Sequence, residues 1–259
     1  MTKKITSHQD GCIATVVLDN PKKLNAIDLE MWTGLGKTMA NLSKNTELRC
    51  IVLRGAGGQA FAAGADISRF AEERSTPEQA AEYHRVIDIA MDAIYGCLHP
   101  TVALIEGVCV GGGLEVAACC DMRICGKSSR FGVPIKKLGI TMHYGELSRV
   151  MQIIGPAAAR ELLLEGQVFG AERAKEIGFV NRVVDDRAVS AEAFEAARRI
   201  ADGAPIAQRL NKKFISRLCD PEPIKPLEHE ETYHTMTTDD FREGINAFLS
   251  KRRPIFKGR

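Results

Sequence analysis

The sequence predicts an α/β fold, and two kinds of segment carry that prediction. Short, fully apolar runs at residues 50–53 and 101–105 have the length and composition of strands that are buried on both faces. Longer segments between such runs place apolar residues at helical spacing, as residues 29–42 do. Strands that alternate with helices across short links are typical of a largely parallel sheet.

The other elements follow from local patterns in chain order. Two apolar runs, one from Ile5 and one at residues 12–18, predict an opening hairpin. Asp28 can cap the first long helix, and Thr76-Pro77 can begin the second, which must end before Pro100. Further strands are expected at residues 122–125, 130–131 and 179–184, and further helices at 114–120, 146–154, 156–164, 171–177, 187–201, 205–219, 224–234 and 239–251.

The last three helices follow one another without a strand. We therefore predict two regions, a core at residues 1–203 and a helical C-terminal region at residues 204–259.

Composition and charge restrict the possible partners. The 259 residues are 45% hydrophobic and 26% charged, as in ordinary globular proteins. Lys and Arg number 35 against 33 Asp and Glu, so a net charge of +2 creates no field that would attract nucleic acid or an anionic membrane. The sequence shows neither a secretory leader nor an apolar run long enough to span a bilayer. We expect a cytoplasmic protein without nucleic-acid or membrane partners.

The cysteines and histidines do not suggest a metal site. Eight cysteines lie mostly inside apolar runs and lack paired CxxC spacing, so we interpret them as buried free thiols in a reducing compartment. His229 and His234 lie in a segment similar to a zinc-binding helix, but their separation differs from the i, i+4 spacing that puts two histidines on one helix face.

A glycine-rich turn is the strongest local indication of chemistry. Gly111, Gly112 and Gly113 follow an apolar run and precede a predicted helix. They would allow close approach of a ligand, and the free N–H groups of the helix could stabilise a developing negative charge, although the same glycines could serve only as a turn. Glu115 could be a structural carboxylate stabilised by the helix dipole, or an acid or base whose pKa is raised by apolar neighbours.

Several motifs in one order resemble the enoyl-CoA hydratase/isomerase (crotonase) superfamily. They are FAAGADI at residues 61–67, the segment 106–117 with its glycines and Glu115, FGVP at 131–134, and LGI at 138–140. With LDNP at 18–21 and RRP at 252–254, the resemblance covers nearly the whole chain. It implies a ββα superhelix, or spiral, with a helical C-terminal trimerisation region, and homotrimers that can pair into hexamers. It also implies an acyl-CoA substrate and no cofactor, since coenzyme A is part of the substrate.

The resemblance also implies particular site residues. Family members hold the thioester carbonyl with two backbone N–H groups, which match Ala65 and Gly112 in this chain. Glu115 matches one of the two catalytic glutamates of hydratases. The residues expected to contact the substrate or its CoA part are Lys22, Leu24, Ala63, Asp66, Ile67, Gly111, Ile135 and Met142.

This chain departs from the hydratase pattern at the second glutamate. Ile135 stands at that position and can neither donate nor accept a proton. Loss of one general acid or base costs on the order of 10² to 10⁴ in rate. His143 stands eight residues further on, where isomerases and a dehalogenase of the family place a carboxylate, and histidine titrates near neutral pH. We predict that His143 is the catalytic partner of Glu115, and its neighbours Met142, Tyr144 and Glu146 could shape or assist the pocket. The alternative is that His143 only lines a loop.

Together these features predict an acyl-CoA enzyme that stabilises a thioester enolate. The predicted reaction is that of an enoyl-CoA hydratase, the addition of water to a 2-enoyl-CoA, with Glu115 retained. One alternative is an enoyl-CoA isomerase or decarboxylase that uses His143, and another is a catalytically silent protein that binds CoA esters. RNA binding, which one family member shows, is disfavoured by the nearly neutral charge.

Overall fold

The computed structural model describes residues 4–259 and places its strands in two sheets. The strands are β1 (Lys4–Asp10), β2 (Ile13–Asp19), β3 (Cys50–Gly55), β4 (Ala60–Ala62), β5 (Thr101–Ile105), β6 (Val108–Val110), β7 (Met122–Gly126), β8 (Arg130–Gly132), β9 (Phe169–Gly170) and β10 (Arg182–Val184). The larger sheet has the order β1-β2-β3-β5-β7-β10, and the smaller sheet has the order β4-β6-β8-β9.

Helices surround the two sheets and form most of the C-terminal region. They are α1 (Leu29–Ser43), α2 (Phe70–Glu73), α3 (Pro77–Tyr95), α4 (Gly112–Cys119), α5 (Tyr144–Arg160), α6 (Ala171–Glu176), α7 (Val189–Ala201), α8 (Pro205–Leu218), α9 (Pro226–Glu231) and α10 (Asp239–Leu249). In the described part of the chain, no helix combines the length and apolarity needed to cross a membrane.

The chain winds as a spiral that alternates between the two sheets. Strands β3, β5 and β7 lie in the larger sheet, and each is followed by a strand of the smaller sheet, β4, β6 and β8 respectively. All neighbours in the larger sheet are parallel except the β1–β2 hairpin. The predicted α/β superhelix is confirmed, whereas the smaller sheet was not predicted because β4 and β6 lie in short segments next to glycines.

The apolar run of β3 is continuous because both faces of the strand are buried. Cys50 and Val52 join a cluster with α7, including Ala193 and Ala197. The alternate residues of the strand point to the opposite face, into the main core formed with α1 and α3. The larger sheet is therefore a layer between α7 on one face and α1 and α3 on the other.

The predicted helix starts are confirmed at two caps. The Asp28 carboxylate accepts a hydrogen bond from the Met31 N–H at 3.0 Å, and the Thr76 hydroxyl accepts one from the Gln79 N–H at 3.2 Å. Each such cap typically contributes about 1 kcal/mol. Within α5, Gly155 has a φ of 70°, so two helical segments meet there, in agreement with the two predicted helices.

Two predicted elements are shorter than expected. The predicted strand at residues 179–184 is reduced to β10, because Phe179 and Val180 are buried in the turn after α6. The predicted helix at 224–234 is reduced to α9, and a separate 3-10 turn follows at His234–Thr237.

The cysteines are free thiols, as predicted, and six of the eight are buried. Burial raises the pKa of Cys50 to about 12, which keeps its thiol protonated. Two thiols differ from the prediction: Cys12 is half-buried and Cys219 is exposed on the surface after α8.

Helix α8 contacts the core through two cations. Arg209 donates hydrogen bonds to the carbonyls of Thr46 and Leu48, and Lys212 pairs with Asp121 at 2.9 Å. The division at residue 203 remains a prediction, and residues 1–3 of the predicted core lie outside the described part. The exposed large apolar side chains of this C-terminal region are Ile215, Leu218, Leu227, Tyr233, Met236, Phe241, Ile245, Phe248, Leu249 and Ile255.

His99, which lies under α8, should make the stability of the fold sensitive to acid. Burial, and next the charge of Arg209, lowers the pKa of His99 from 6.5 to about 4. In the unfolded chain His99 becomes protonated as the pH falls below 6.5, whereas in the folded chain it stays neutral until the pH approaches 4. This group therefore makes folding less favourable as the pH falls from 6.5 to about 4. We expect His99→Phe to weaken the loss of stability between pH 7 and pH 5 in urea denaturation. His8→Asn, an exposed change, is the control, and an unaltered pH dependence in His99→Phe would contradict the prediction.

Candidate active site

A cavity of about 110 Å³ lies where the segments after β4, β6 and β8 meet α1 and α3. Most of its lining is apolar, with a small number of polar groups among the apolar side chains. Such a composition is typical of small-molecule sites. The lining residues are Trp32, Ala63, Gly64, Ala65, Ile67, Phe70, Arg74, Tyr83, His84, Ile87, Val110, Gly111, Gly112, Glu115, Pro134, Ile135, Leu138, Ile140, Thr141, Met142 and Glu146.

The predicted glycine-rich turn forms one wall of this cavity. Gly111 has a φ of 50°, which favours glycine, and α4 begins directly after it. The Glu115 N–H donates to the Gly111 carbonyl at 3.0 Å, the first hydrogen bond of the helix. The amides of Gly112 and Gly113 therefore precede the helical ladder, as N–H groups at a helix start do.

Two backbone amides lie close together at this wall. A parallel bridge joins Ile27 to the Gly64 carbonyl and to the Asp66 N–H, so the Ala65 N–H points away from Ile27. The Ala65 nitrogen lies 3.7 Å from the position that a Cβ on Gly112 would occupy. Across residues 4–259, no acceptor is bound to the Ala65 or Gly112 N–H. Two free donors of this kind can bind one oxygen that gains negative charge.

Gly113 allows α4 to pack against β4, and its replacement should destabilise the fold. A Cβ at this position would lie 2.3 Å from the Ala62 carbonyl oxygen. The backbone would have to move, so we expect Gly113→Ala to cost about 3 kcal/mol of unfolding free energy in urea denaturation. Gly170→Ala is a suitable control because its Cβ would approach only the Arg130 side chain, at 3.7 Å. Equal stability of the two variants would refute the packing argument.

Glu115 is a buried carboxyl group at the start of α4. Its Oε2 lies 3.7 Å from the position that a Cβ on Gly112 would take, so it is adjacent to the two free amides. Burial, and secondly the negative charge of Glu146, raises the pKa of Glu115 well above its usual 4.5, while Arg74 acts in the opposite direction. Glu115 therefore holds its proton at a pH where most carboxyls have lost theirs, which suits a proton donor.

Glu146 is the second buried carboxylate of the cavity. It occupies the first turn of α5, and its Oε2 accepts a hydrogen bond from the His143 N–H at 3.0 Å. Its Oε1 lies 3.3 Å from His84 Nδ1. The sequence indicated it only as one of the neighbours of His143 that could shape or assist the pocket, although a glutamate three residues after a helix start is a known capping position. The structure places it in the same cavity as Glu115.

His143 does not line the cavity, contrary to its predicted place opposite Glu115. Its imidazole is 44% exposed, with Nδ1 at 3.9 Å from the Asp88 carboxylate. The ring stacks against His84, with 4.9 Å between the ring centroids. His143 is the residue at the start of α5, and the helix turns Glu146, three residues later, toward Glu115 in its place.

The predicted substrate contacts fall into two groups. Ala63, Ile67, Gly111, Ile135 and Met142 line the cavity together with Ala65 and Gly112, whereas Lys22, Leu24 and Asp66 do not.

The three residues outside the cavity lie beside its wall. The Leu24 carbonyl accepts a hydrogen bond from the Ala63 N–H at 2.9 Å, which joins the turn at Pro21–Lys23 to the cavity wall. Lys23 Nζ lies 2.8 Å from the Asp66 carboxylate.

The sequence did not reveal Trp32, Arg74, Tyr83, His84 or Ile87 as cavity residues. Trp32, Tyr83 and Ile87 followed the apolar spacing of their helices and were assigned to helix packing alone. Arg74 and His84 carried no recognisable pattern. Residues 4–259 contain no cluster of three or more potential metal-ligating side chains.

The fold and the cavity define an α/β protein built from ββα turns, whose pocket can combine acid–base chemistry with stabilisation of an anionic oxygen. The sequence model of the family described as enoyl-CoA hydratase/isomerase matches residues 8–259. The chain belongs to this enoyl-CoA hydratase/isomerase family and is an enzyme of it, a lyase or an isomerase.

Known proteins resemble the chain over nearly its full length. It is 32% identical over 251 residues to the short-chain-enoyl-CoA hydratase of Clostridium acetobutylicum, covering 95% of this chain and 94% of that protein. It is 28% identical over 266 residues to the mitochondrial Delta(3,5)-Delta(2,4)-dienoyl-CoA isomerase of Dictyostelium discoideum, covering 98% and 90%. A crystal structure described as an enoyl-CoA hydratase/carnithine racemase from Magnetospirillum magneticum superposes with a TM-score of 0.97 and 46% identity, covering 98% of this chain and 96% of that chain.

Proposed function

We propose that this chain is an enoyl-CoA hydratase, which adds water across the C2–C3 double bond of a 2-enoyl-CoA thioester. The observation that carries the proposal is that two buried carboxyl groups, Glu115 and Glu146, line one apolar cavity beside the free amides of Ala65 and Gly112. The relative from Clostridium acetobutylicum, which is named for this activity, supports the same reaction.

The two amides account for binding and activation of the thioester. The carbonyl oxygen accepts hydrogen bonds from the Ala65 and Gly112 N–H groups. When oxygen adds to C3, the electrons of the double bond move toward this carbonyl and produce an enolate. Each fixed donor that stabilises the enolate oxygen lowers the barrier by roughly 3 to 4 kcal/mol.

The two carboxyl groups account for the proton transfers. Glu146 takes a proton from the attacking water as the water oxygen bonds to C3. Glu115 then gives its proton to C2 as the enolate collapses. The product is a 3-hydroxyacyl-CoA, and exchange with solvent returns the proton from Glu146 to Glu115. In this scheme Ile135 contributes only an apolar part of the cavity wall, because Glu146 supplies the second carboxylate from α5.

Coenzyme A enters this proposal as part of the substrate, with no resident cofactor or metal. The segment with Ala63, Ala65, Asp66 and Ile67 would contact its adenine and pantetheine parts, and the turn with Lys22 and Leu24 would form a second contact with coenzyme A. Homotrimers or hexamers and a cytoplasmic location also belong to the proposal. The exposed apolar side chains of α8 to α10 support the assembly, because they would be covered by a second copy of the chain.

Mass spectrometry of a panel of 2-enoyl-CoA and 3-enoyl-CoA thioesters tests the reaction directly. A gain of one water by 2-enoyl-CoA substrates, at catalytic protein concentration, is the expected result. A change of retention at constant mass would identify an isomerase instead. Loss of carbon dioxide from carboxylated thioesters would identify a decarboxylase, and binding without chemical change would indicate a silent binding protein.

A further inference from the structure

Arg74 is a positively charged side chain in the lining of a largely apolar cavity. Its guanidinium lies against the rings of Phe70 and Tyr83, at 4.7 Å from each centroid, and these two rings meet edge to face. Nη2 of Arg74 lies 2.9 Å from His84 Nε2. Because a guanidinium carries several N–H donors, this one contact leaves most of them for another partner. The neighbouring rings therefore hold the group in place without neutralising its charge.

Arg74 forms no ion pair with a carboxylate in the described part of the chain. Acidic side chains lie just before it, but Glu72 and Glu73 pair with Arg69, at 3.3 Å and 3.2 Å. The charge that α2 could have supplied is thus taken by another arginine. The positive charge of Arg74 stays available at the cavity wall.

The two carboxyl groups of the cavity do not neutralise Arg74 either. Burial, and secondly the charge of Glu146, raises the pKa of Glu115 well above 4.5, so Glu115 holds its proton although Arg74 acts against this. The His84 imidazole lies between Arg74 and Glu146, with Nδ1 at 3.3 Å from Glu146 Oε1. The interaction between Arg74 and Glu115 also means that a group bound beside Glu115 lies within the electrostatic range of the guanidinium.

An acyl group that fills the cavity removes water from Arg74. A purely apolar chain would leave the N–H donors of the guanidinium desolvated and unpaired, which costs free energy. A carboxylate on the chain can instead accept two parallel hydrogen bonds from the guanidinium, because the geometries of the two groups match. The cavity volume of about 110 Å³ suits a short chain. The site therefore favours a short acyl group that carries a negative charge.

We propose that Arg74 binds a carboxylate on the acyl group and makes the enzyme selective for short 2-enoyl-CoA thioesters that carry one. The inference rests on the proposed hydratase function, because it specifies the substrate of that same site. Arg74 exchanges no proton with the substrate in this scheme. It determines which acyl groups are held with C2 and C3 beside Glu115 and Glu146.

Two substrates of similar length test this selectivity. The acyl chain of glutaconyl-CoA ends in a carboxylate, whereas that of crotonyl-CoA ends in a methyl group. We expect kcat/KM of the wild type to be about 10-fold or more higher for glutaconyl-CoA, and Arg74→Met to lower the ratio of the two kcat/KM values by roughly 10- to 100-fold. Arg74→Lys keeps the charge but not the paired donors, so its ratio should lie between those of the wild type and Arg74→Met.

Arg149→Met is a matched control for the loss of an arginine. Arg149 also lies over a tyrosine ring, at 3.6 Å from the Tyr95 centroid, but it pairs with Asp92 and does not line the cavity. This variant should retain the wild-type ratio. Because both substrates are measured on the same preparation, a partial loss of folded protein cancels in the ratio. Equal ratios in the wild type and Arg74→Met would overturn the proposed selectivity.

Calorimetry with glutaryl-CoA and butyryl-CoA separates this inference from the proposed function, because these saturated thioesters bind without being hydrated. The wild type should bind glutaryl-CoA about 10-fold or more tightly than butyryl-CoA, and Arg74→Met should lose that preference. If the preference is found but neither 2-enoyl thioester gains water, the proposed function fails and the carboxylate site stands. If crotonyl-CoA gains water at least as efficiently as glutaconyl-CoA, the function stands and the selectivity is refuted.

Discussion

Glu115→Gln should reduce hydration of crotonyl-CoA by about 10³- to 10⁴-fold while binding of the thioester stays nearly intact. Glutamine has almost the same shape as glutamic acid, but its amide is not acidic enough to protonate C2. Steady-state kinetics supply kcat, and calorimetry with butyryl-CoA, a saturated thioester that cannot be hydrated, supplies the binding constant. Wild-type turnover in this variant would remove Glu115 from the reaction.

The same substitution should also change how stability depends on pH. In the unfolded chain Glu115 loses its proton near the usual pKa of 4.5, whereas in the folded chain burial retains that proton to higher pH. Wild-type protein therefore loses stability from this group as the pH rises above 4.5. Glutamine does not titrate, so the variant should gain stability relative to wild type between pH 5 and pH 8 in urea denaturation. A constant difference across that range would contradict the raised pKa.

Glu146→Gln should lower kcat by about 10² to 10⁴, and His143→Asn should have a far smaller effect. Glu146 lines the cavity and is the proposed base, whereas the His143 imidazole faces Asp88 at the outer surface. Asparagine is a favourable residue at a helix start, so the second substitution should preserve α5. Both variants are compared by kcat on crotonyl-CoA at saturating substrate.

One result of comparing kcat for these two variants would contradict the proposed role of Glu146. A loss in His143→Asn equal to or greater than the loss in Glu146→Gln would make the histidine the acid–base group, as the sequence alone had indicated.

Local chemistry explains why so much of the fold was predictable. The apolar runs of β3 and β5 each lie within a few consecutive residues, and the caps at Asp28 and Thr76 bond to amides three residues away. Such local features can be recognised directly in the sequence. The smaller sheet depends on pairing between β4, β6 and β8, which are far apart in the chain and only three residues long. Strands of that length have no periodicity to recognise.

The sequence predicted the part of the site that is defined by backbone conformation. It did not predict the part that depends on the direction of side chains. The glycines in the sequence indicated the cavity wall that carries Gly112, because only glycine allows the start of α4 to approach β4 so closely. His143 and Glu146 are only three residues apart, and the irregular segment before α5 decides which of them faces inward. That segment contains Gly139 with a φ of 67°, and no periodic pattern fixes its direction. His84 was missed for a related reason, since its partners Arg74 and Glu146 are brought to it only by the fold.

The proposed oxyanion donors of this cavity belong to the backbone, while the proposed acid and base belong to side chains. A substitution at Ala65 that keeps the local backbone path leaves the amide in place, but any change of Glu115 or Glu146 would alter the proposed proton transfers. The fold thus separates a part that tolerates mutation from a part that does not. Ile135 and Glu146 line the same cavity from different segments, so the proposed second carboxylate comes from α5 while the anion-binding wall is formed by the segments of Ala65 and Gly112.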